Sequence, residues 1–363
     1  MHGLLRTPLY NEHLSLKAAM AEFGGWEMPI QYSGILSEHE ACRKSAALFD
    51  ICHMGEFYFQ DDIEKSGIEN AVSVRISSIP VGRCRYMMML SDNGGILDDL
   101  IIYRLSTDKL MIVVNAVTRD NDFRHIKTFL KSPSALSDIS EETSKLDLQG
   151  PLSRDVLSHA VGGSIENLKY YSFAKFVFTG DEVLISRTGY TGELGYEIYI
   201  NSGKVSDLWK NLLKDSRVKP AGLGARDILR LEVGYSLYGH ELGEWTNPIE
   251  AGLESYIDYS KDFMGKNALL KLRKEELKKR KIAFAAKSRR TPREGYSIFS
   301  GQDMIGNVTS GVFSPELTVG IGLGYVRPEF SKPGEKLLIK HEHIEIEAET
   351  VELPFYKNGS LRI

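Results

Sequence analysis

Apolar and polar positions change their period several times along this chain, and each change marks an element. Residues 37–45 (SEHEACRKS) are polar with spaced small residues, which predicts a helix ending near the apolar Leu48-Phe49. The following MGEFYF alternates only loosely, but its aromatics favour a strand. A short helix is expected around Ile63 to Val72. CRYMMMLSD and GGILDDLIIYRLS are two apolar runs joined through Asn93-Gly94, a strong hairpin signal. DKLMIVVNA predicts another strand. TRDNDFRHIKTFLKS predicts a helix with Phe123, Ile126 and Leu130 on one side. GYEIYI reads as a strand, and VSDLWKNLLKD as a helix burying Val205, Leu208, Trp209 and Leu212. In GLGARDILRLEVGYSLYG, Ala225, Leu229 and Val233 recur at four-residue spacing, which favours a helix. The pattern leaves its end near Gly234-Tyr235 open.

The pattern shifts near residue 280. KNALLKLRKEELKKRKIAF predicts a charged helix leading into a strand. Beyond it lie short strand-like runs: YSIFSGQDMIGNV, GIGLGYV, EKLLIKH and EIEAETVEL. Pro315, Pro328 and Pro333 sit between them, where a missing N–H costs no ladder bond. A terminal β-barrel or sandwich of about 85 residues fits this spacing.

At 363 residues the chain exceeds one typical hydrophobic core, so two or three domains are expected. The net charge of -4 gives no sign of a nucleic-acid partner. No apolar run approaches the length of a membrane span, and MHGLLRTPLYNEH does not read as a secretory signal. Cys42, Cys52 and Cys84 form no C-x-x-C pair, which fits a reducing compartment and a cytoplasmic location.

Asp98 and Asp99 interrupt an apolar strand on opposite faces, Asp98 with Leu100 and Ile102, Asp99 with Ile101 and Tyr103. They are either a solvated pair near the hairpin turn or buried functional acids. Asn115 closes MIVVNA and is available to a ligand if Thr118 caps the next helix. SRTGYTGELGYEIYI is glycine-dense without being a dinucleotide fingerprint. There Tyr190 can stack and Glu197 can pair with a guanidine-like heterocycle, or the segment is a tight hairpin with one exposed acid. Arg226 in GLGARD either holds a carboxylate ligand or pairs with Asp227 or Glu232, the latter being the default. Tyr235 and Tyr238 add aromatic surface. His341 and His343 share a strand face without a third metal ligand. Cys52 and His53 are adjacent and so diverge, which argues against a nucleophile dyad.

Taken together and in order, FGGWEMPIQY, LFDICHMGEF, NGGILDDLIIY, MIVVNA, SRTGYTGELGYEIYI, GLGARDILRLEVGYSLYGHEL, TNPIEAGL, KDFMGKNAL and GNVTSGVFSPEL resemble the glycine cleavage T-protein family from about Thr7 to Tyr356. Cys52 replaces the usual serine of that segment, Leu152 and Ser153 depart after LQGP, and the lysine-rich start of the last domain is atypical. The resemblance implies an α+β fold of three domains around a central folate cavity, with a β-rich C-terminal barrel. It implies a discontinuous first domain (1–54, 139–194, 226–279), a second (55–138, 195–225) and the barrel (280–363). It also implies aminomethyl transfer from the dihydrolipoyl arm of H protein to tetrahydrofolate, with no metal and a transient H-protein contact within the P, H, T and L system. Asp99 takes the place of the family's essential aspartate. Tyr86, Asn115, Tyr171, Tyr190, Glu197, Arg226 and Tyr235 take those of folate-cavity residues, and Arg362 more loosely that of a C-terminal arginine. Alternatives within the resemblance are a folate-dependent demethylase and a non-catalytic folate-binding scaffold. The former is less expected for a chain of free-standing T-protein length without a flavin domain.

Overall fold

The computed structural model describes residues 3–362, and of Arg362 the backbone alone. Three β assemblies organise the α+β fold. A six-stranded sheet runs in the order Phe173–Phe178, Asp181–Ser186, Gly195–Asn201, Thr143–Gln149, Ala46–Asp50 and Val218–Ala221. A five-stranded sheet runs Cys84–Leu90, Ile96–Arg104, Lys109–Val114, Gly55–Gln60 and Leu136–Asp138. The C-terminal strands, from Arg280–Ala286 to Ile344–Val351, close into a six-stranded barrel.

Side-chain alternation decides what each sheet face meets. In Gly195–Asn201, Ile198 and Ile200 enter a core with Leu146, Leu148 and Trp209. Helix Val205–Leu213 covers that core with Val205, Leu208, Trp209 and Leu212, all buried. Each such side chain contributes roughly 1.5–3 kcal/mol relative to exposure. Glu197 and Tyr199 therefore point to the opposite face. In the five-stranded sheet, Leu100, Ile102, Ile112 and Phe57 form a second core. Asp99, Ile101 and Tyr103 face away from it, toward the six-stranded sheet.

Helix Leu223–Glu232 starts after Gly222, where any Cβ would lie 2.3 Å from the Ile30 carbonyl. Gly234, with a φ of 78°, follows its end, which resolves the boundary the sequence pattern left open.

Four expectations differ from the structure. Around residues 63–72 only a 3-10 turn forms, Ile68–Ala71, because Gly67 adopts a φ of 100° against the Phe129 carbonyl. The charged helix before the barrel is confined to Lys266–Leu272. Residues 273–279 lack an apolar stripe that packing could hold in helical form. Thr118 precedes helix Arg119–Phe129 without a side-chain cap, and its hydroxyl donates to the Asn115 carbonyl at 3.1 Å. Finally, Gly195–Asn201 and Val218–Ala221 pair with Thr143–Gln149 and Ala46–Asp50. Residues 195–225 thus join the sheet of the expected first domain, not that of 55–138, because the polar face of Gly195–Asn201 completes a floor begun by Thr143–Gln149.

Candidate active site

The two sheets and the barrel enclose a cavity of about 960 Å³. Tyr86, Asp99, Asn115, Tyr171, Tyr190, Glu197, Arg226 and Tyr235 all line it. The structure thus brings together residues that are far apart in the chain. The side chain of Arg362 lies outside the described residues.

On the five-stranded sheet, Tyr86 OH donates to Asp99 Oδ2 at 3.0 Å. Asn115 Nδ2 donates to Asp99 Oδ1 at 3.0 Å and to Asp98 Oδ1 at 2.8 Å. The Asn115 backbone N–H donates to Asp98 Oδ2 at 3.1 Å. Asn115 is therefore a tie between the two aspartates, and its side-chain oxygen remains for a ligand. Asp98 is fully buried on the far face and is not solvated at the turn.

Among the described residues no cation pairs with Asp99. Burial, then the Asp98 charge, push its carboxyl up to about 7. An aspartate in water is ionised at neutral pH; here the environment makes Asp99 a group that exchanges a proton near neutrality. Burial also raises Asp98. Asp122, from the helix behind it, is pushed up to about 10 by burial and by Asp98, so it carries a proton. These three carboxyls titrate as a set.

On the six-stranded sheet, Glu197 has a different setting. Lys145 Nζ stands 3.0 Å from its Oε1. Thr188 Oγ1 donates to Oε2, and Tyr103 OH does so at 3.3 Å. Burial would raise this carboxyl, but the Lys145 ammonium and the Thr188 hydroxyl bring it below its ordinary value. The segment is thus not a hairpin tip with an exposed acid.

Arg226 projects from helix Leu223–Glu232 and donates to Asp147, with its guanidinium 5.1 Å from the Tyr190 ring centre. The pairing first expected, with Asp227 or Glu232, does not occur. Arg230 takes Asp227 at 2.8 Å, and Arg43 with His39 takes Glu232. Tyr190 and Tyr235 stack at 5.6 Å, giving the cavity a flat aromatic wall. Tyr171, at a φ of 58°, packs edge-on against Tyr170 at 4.7 Å.

Several cavity residues escaped the sequence reading. Lys145 lines the cavity, and it and Asp147, the partner of Arg226, had a signal in TSKLDLQ, whose polar positions recur at every second residue from Thr143. Such a strand ordinarily faces solvent, whereas here it lies in the molecular interior. His53 lines the cavity with Nδ1 unpartnered among the described residues. Burial lowers it to about 4, so the imidazole is neutral. Lys281, from the barrel, donates to Ser236 Oγ at 2.6 Å, and burial lowers it to about 8. Lys281 had no sequence signal, and His53 stood out only as the neighbour of Cys52.

Cys52 donates to the Lys145 carbonyl at 3.4 Å and makes no bond to His53. His341 stacks on Tyr296 at 4.6 Å. Among the described residues no group of three or more His, Cys, Asp or Glu is arranged to hold a metal ion.

Residues 9–261 match the GCVT N-terminal domain family, and residues 279–357 match the glycine cleavage T-protein C-terminal barrel domain family. The chain belongs to the glycine cleavage T-protein family. It is 42% identical over 354 residues to an aminomethyltransferase of Halothermothrix orenii, covering 96% of this chain and 99% of that one. It is also 42% identical over 362 residues to an aminomethyltransferase of Thermotoga maritima, covering 98% and 99%. The crystal structure of glycine cleavage system aminomethyltransferase T from Bartonella henselae superposes with a TM-score of 0.91 at 32% identity, over 98% of this chain and 99% of that one. In this T-protein family member the second match begins at residue 279, beside the first barrel strand at Arg280.

Proposed function

We propose that the chain transfers the one-carbon unit of an aminomethyl group, held on the dihydrolipoyl arm of H protein, to tetrahydrofolate. The products are 5,10-methylenetetrahydrofolate, ammonia and dihydrolipoyl H protein. The carbon loses its bonds to sulfur and to the amine nitrogen and gains bonds to two folate nitrogens. The two protons leaving those nitrogens end on the thiol and on ammonia.

The observation that carries this reading is the Asp99 carboxyl, facing the cavity with no cation paired to it among the described residues and poised near 7. A group with that affinity exchanges protons efficiently near neutral pH. In its ionised form it also stabilises positive charge developing on the transferred carbon. Tyr86 and Asn115 fix its orientation. The chemistry of the opposite wall fits a pterin. Glu197 is an ionised acceptor suited to an edge of paired N–H groups, and Tyr190 with Tyr235 is suited to its face. Asn115 contributes its free side-chain oxygen.

H protein must leave after every turnover, so its docking is transient, with charge speeding encounter more than strengthening it. An association rate independent of salt would speak against that steering.

The deciding experiment is single-turnover formation of methylenetetrahydrofolate from aminomethyl-loaded H protein, with folate binding measured separately. Transfer supports the proposal. Folate binding without transfer would make the chain a scaffold. Demethylation of a small N-methyl substrate without H protein would place it with the demethylases.

A further inference from the structure

Strand Thr143–Gln149 turns Lys145, Asp147 and Gln149 to one face, each at most 1% exposed, and Lys145 lines the cavity. A lysine ammonium is costly to bury unless its charge is used. Lys145 Nζ has Glu197 Oε1 at 3.0 Å and Met54 Sδ at 3.5 Å, with the Tyr199 ring centre at 5.4 Å. Strand register explains the arrangement. Lys145 lies opposite Tyr199, and Asp147 lies opposite Glu197. Like charges directly opposite on adjacent strands repel. Here each has its own cation: Lys145 on Glu197, Arg226 on Asp147.

We propose that Lys145 is the positioning residue for Glu197, holding it as an oriented carboxylate that recognises the N–H edge of the bound heterocycle. This rests on the reading of Glu197 as a pterin ligand. Lys145 borders the cavity itself, and its role is exerted through Glu197.

Among the described residues no second cation is bonded to Glu197, and Arg226 acts on it only as a more distant charge. Its own sheet supplies Lys145 and Asp147. The facing sheet supplies Tyr103, Cys84 and Glu56, none of them a cation. Neither Glu56 carboxyl oxygen has a partner among the described residues, and burial raises that group well above the ordinary carboxyl range, which favours its neutral form. Arg226, from the helix, is engaged by Asp147. Without Lys145, Glu197 keeps only hydroxyl donors, and its burial then favours the protonated form. A protonated Glu197 has lost the charge with which it accepts from the heterocycle.

The test is tetrahydrofolate affinity by anaerobic calorimetry from about pH 6 to about pH 9, a window above the reference carboxyl value. Wild type is expected to show little change attributable to Glu197. Lys145→Met is expected to bind at least about tenfold more weakly near pH 6.5, or about 1.4 kcal/mol, and to recover toward pH 9. Lys145→Arg restores the wild-type profile. Lys145→Met in a Glu197→Gln background causes no further loss, because the lysine has nothing left to orient.

Wild-type affinity and profile in Lys145→Met would overturn the proposal. So would a loss equal at every pH, which marks a scaffold role, or a further loss of about tenfold in the double variant, which marks direct ligand contact. Unchanged affinity in Glu197→Gln overturns the ligand role of Glu197 itself. Weakened Glu197→Gln beside unaffected Lys145→Met overturns only the role of Lys145. If Lys145→Met does not fold, the double variant, free of an unpaired buried charge, and Lys145→Arg decide the matter by the same criteria.

Discussion

Asp99 and Glu197 are two carboxylates lining one cavity, and their settings are opposite. Asp99 comes from the five-stranded sheet and meets a tyrosine, an amide and a second carboxylate. Its proton affinity rises to about 7. Glu197 comes from the six-stranded sheet and meets a buried lysine and two hydroxyls, and its proton affinity falls. Both are buried, so desolvation does not separate them. The neighbouring charge does: an acid behind Asp99, a base beside Glu197. The difference divides labour within the cavity. A carboxyl poised near neutrality suits proton exchange, and a fixed anion suits recognition.

The largest effect expected from this contrast is kinetic. Asp99→Asn keeps size and most hydrogen bonding, so folate affinity is retained while single-turnover methylene transfer falls by roughly 10²–10⁴-fold. Near-normal transfer in the folded variant would remove Asp99 from the chemistry. The counterpart acts on binding. Glu197→Gln removes a charged hydrogen-bond acceptor and is expected to weaken tetrahydrofolate binding by about 1.5–3 kcal/mol. Equal affinities by titration would dissolve the division of labour.

A third expectation concerns stability. The folded state holds the Asp99 proton up to about pH 7, whereas the unfolded chain releases it near 3.9. Between those values the native state binds more protons, so rising pH removes stability through this group. Asp99→Asn, which has no proton to lose, should gain up to about 4 kcal/mol over wild type by pH 8 and well under about 1 kcal/mol near pH 4. Urea unfolding at both pH values measures it. No pH-dependent gain would mean that Asp99 titrates as an ordinary aspartate.

The smallest effect is expected from Asp98→Asn. Its opposite facing suggests an inert control, yet Asp98 is tied to Asn115 and its charge helps raise Asp99. The variant should move the pH midpoint of transfer to lower pH by roughly one unit, since burial, the larger cause, remains. An unchanged profile would uncouple the two aspartates.

Strand and helix identities were legible wherever a segment meets one core on one side. Helix Val205–Leu213 and the barrel strands follow directly from their apolar spacing. The assignment of residues 195–225 was not legible, because a strand's own pattern does not name its pairing partner. Among cavity residues, those standing out as polar groups in apolar runs, Asp99, Asn115 and Glu197, could be singled out. Lys145 and Asp147 could not, since regular alternation looks the same whether its polar face meets water or a cavity. Lys281, and the place of His53 in the cavity wall, became visible only once barrel and sheets were assembled.

By itself, then, the sequence determined most of the elements, the barrel boundary near residue 280 and the family, since these depend on local periodicity and on ordered motifs. Tertiary structure decided the proton affinities. Charge and burial act through space over a few ångströms, and the groups that set Asp99 and Glu197 apart come from other strands. The same aspartate is an ordinary acid in the extended chain and a proton-exchanging group beside Asp98, Tyr86 and Asn115. The same glutamate is a fixed anion because Lys145, 52 positions earlier in the numbering, closes on it across one strand pair.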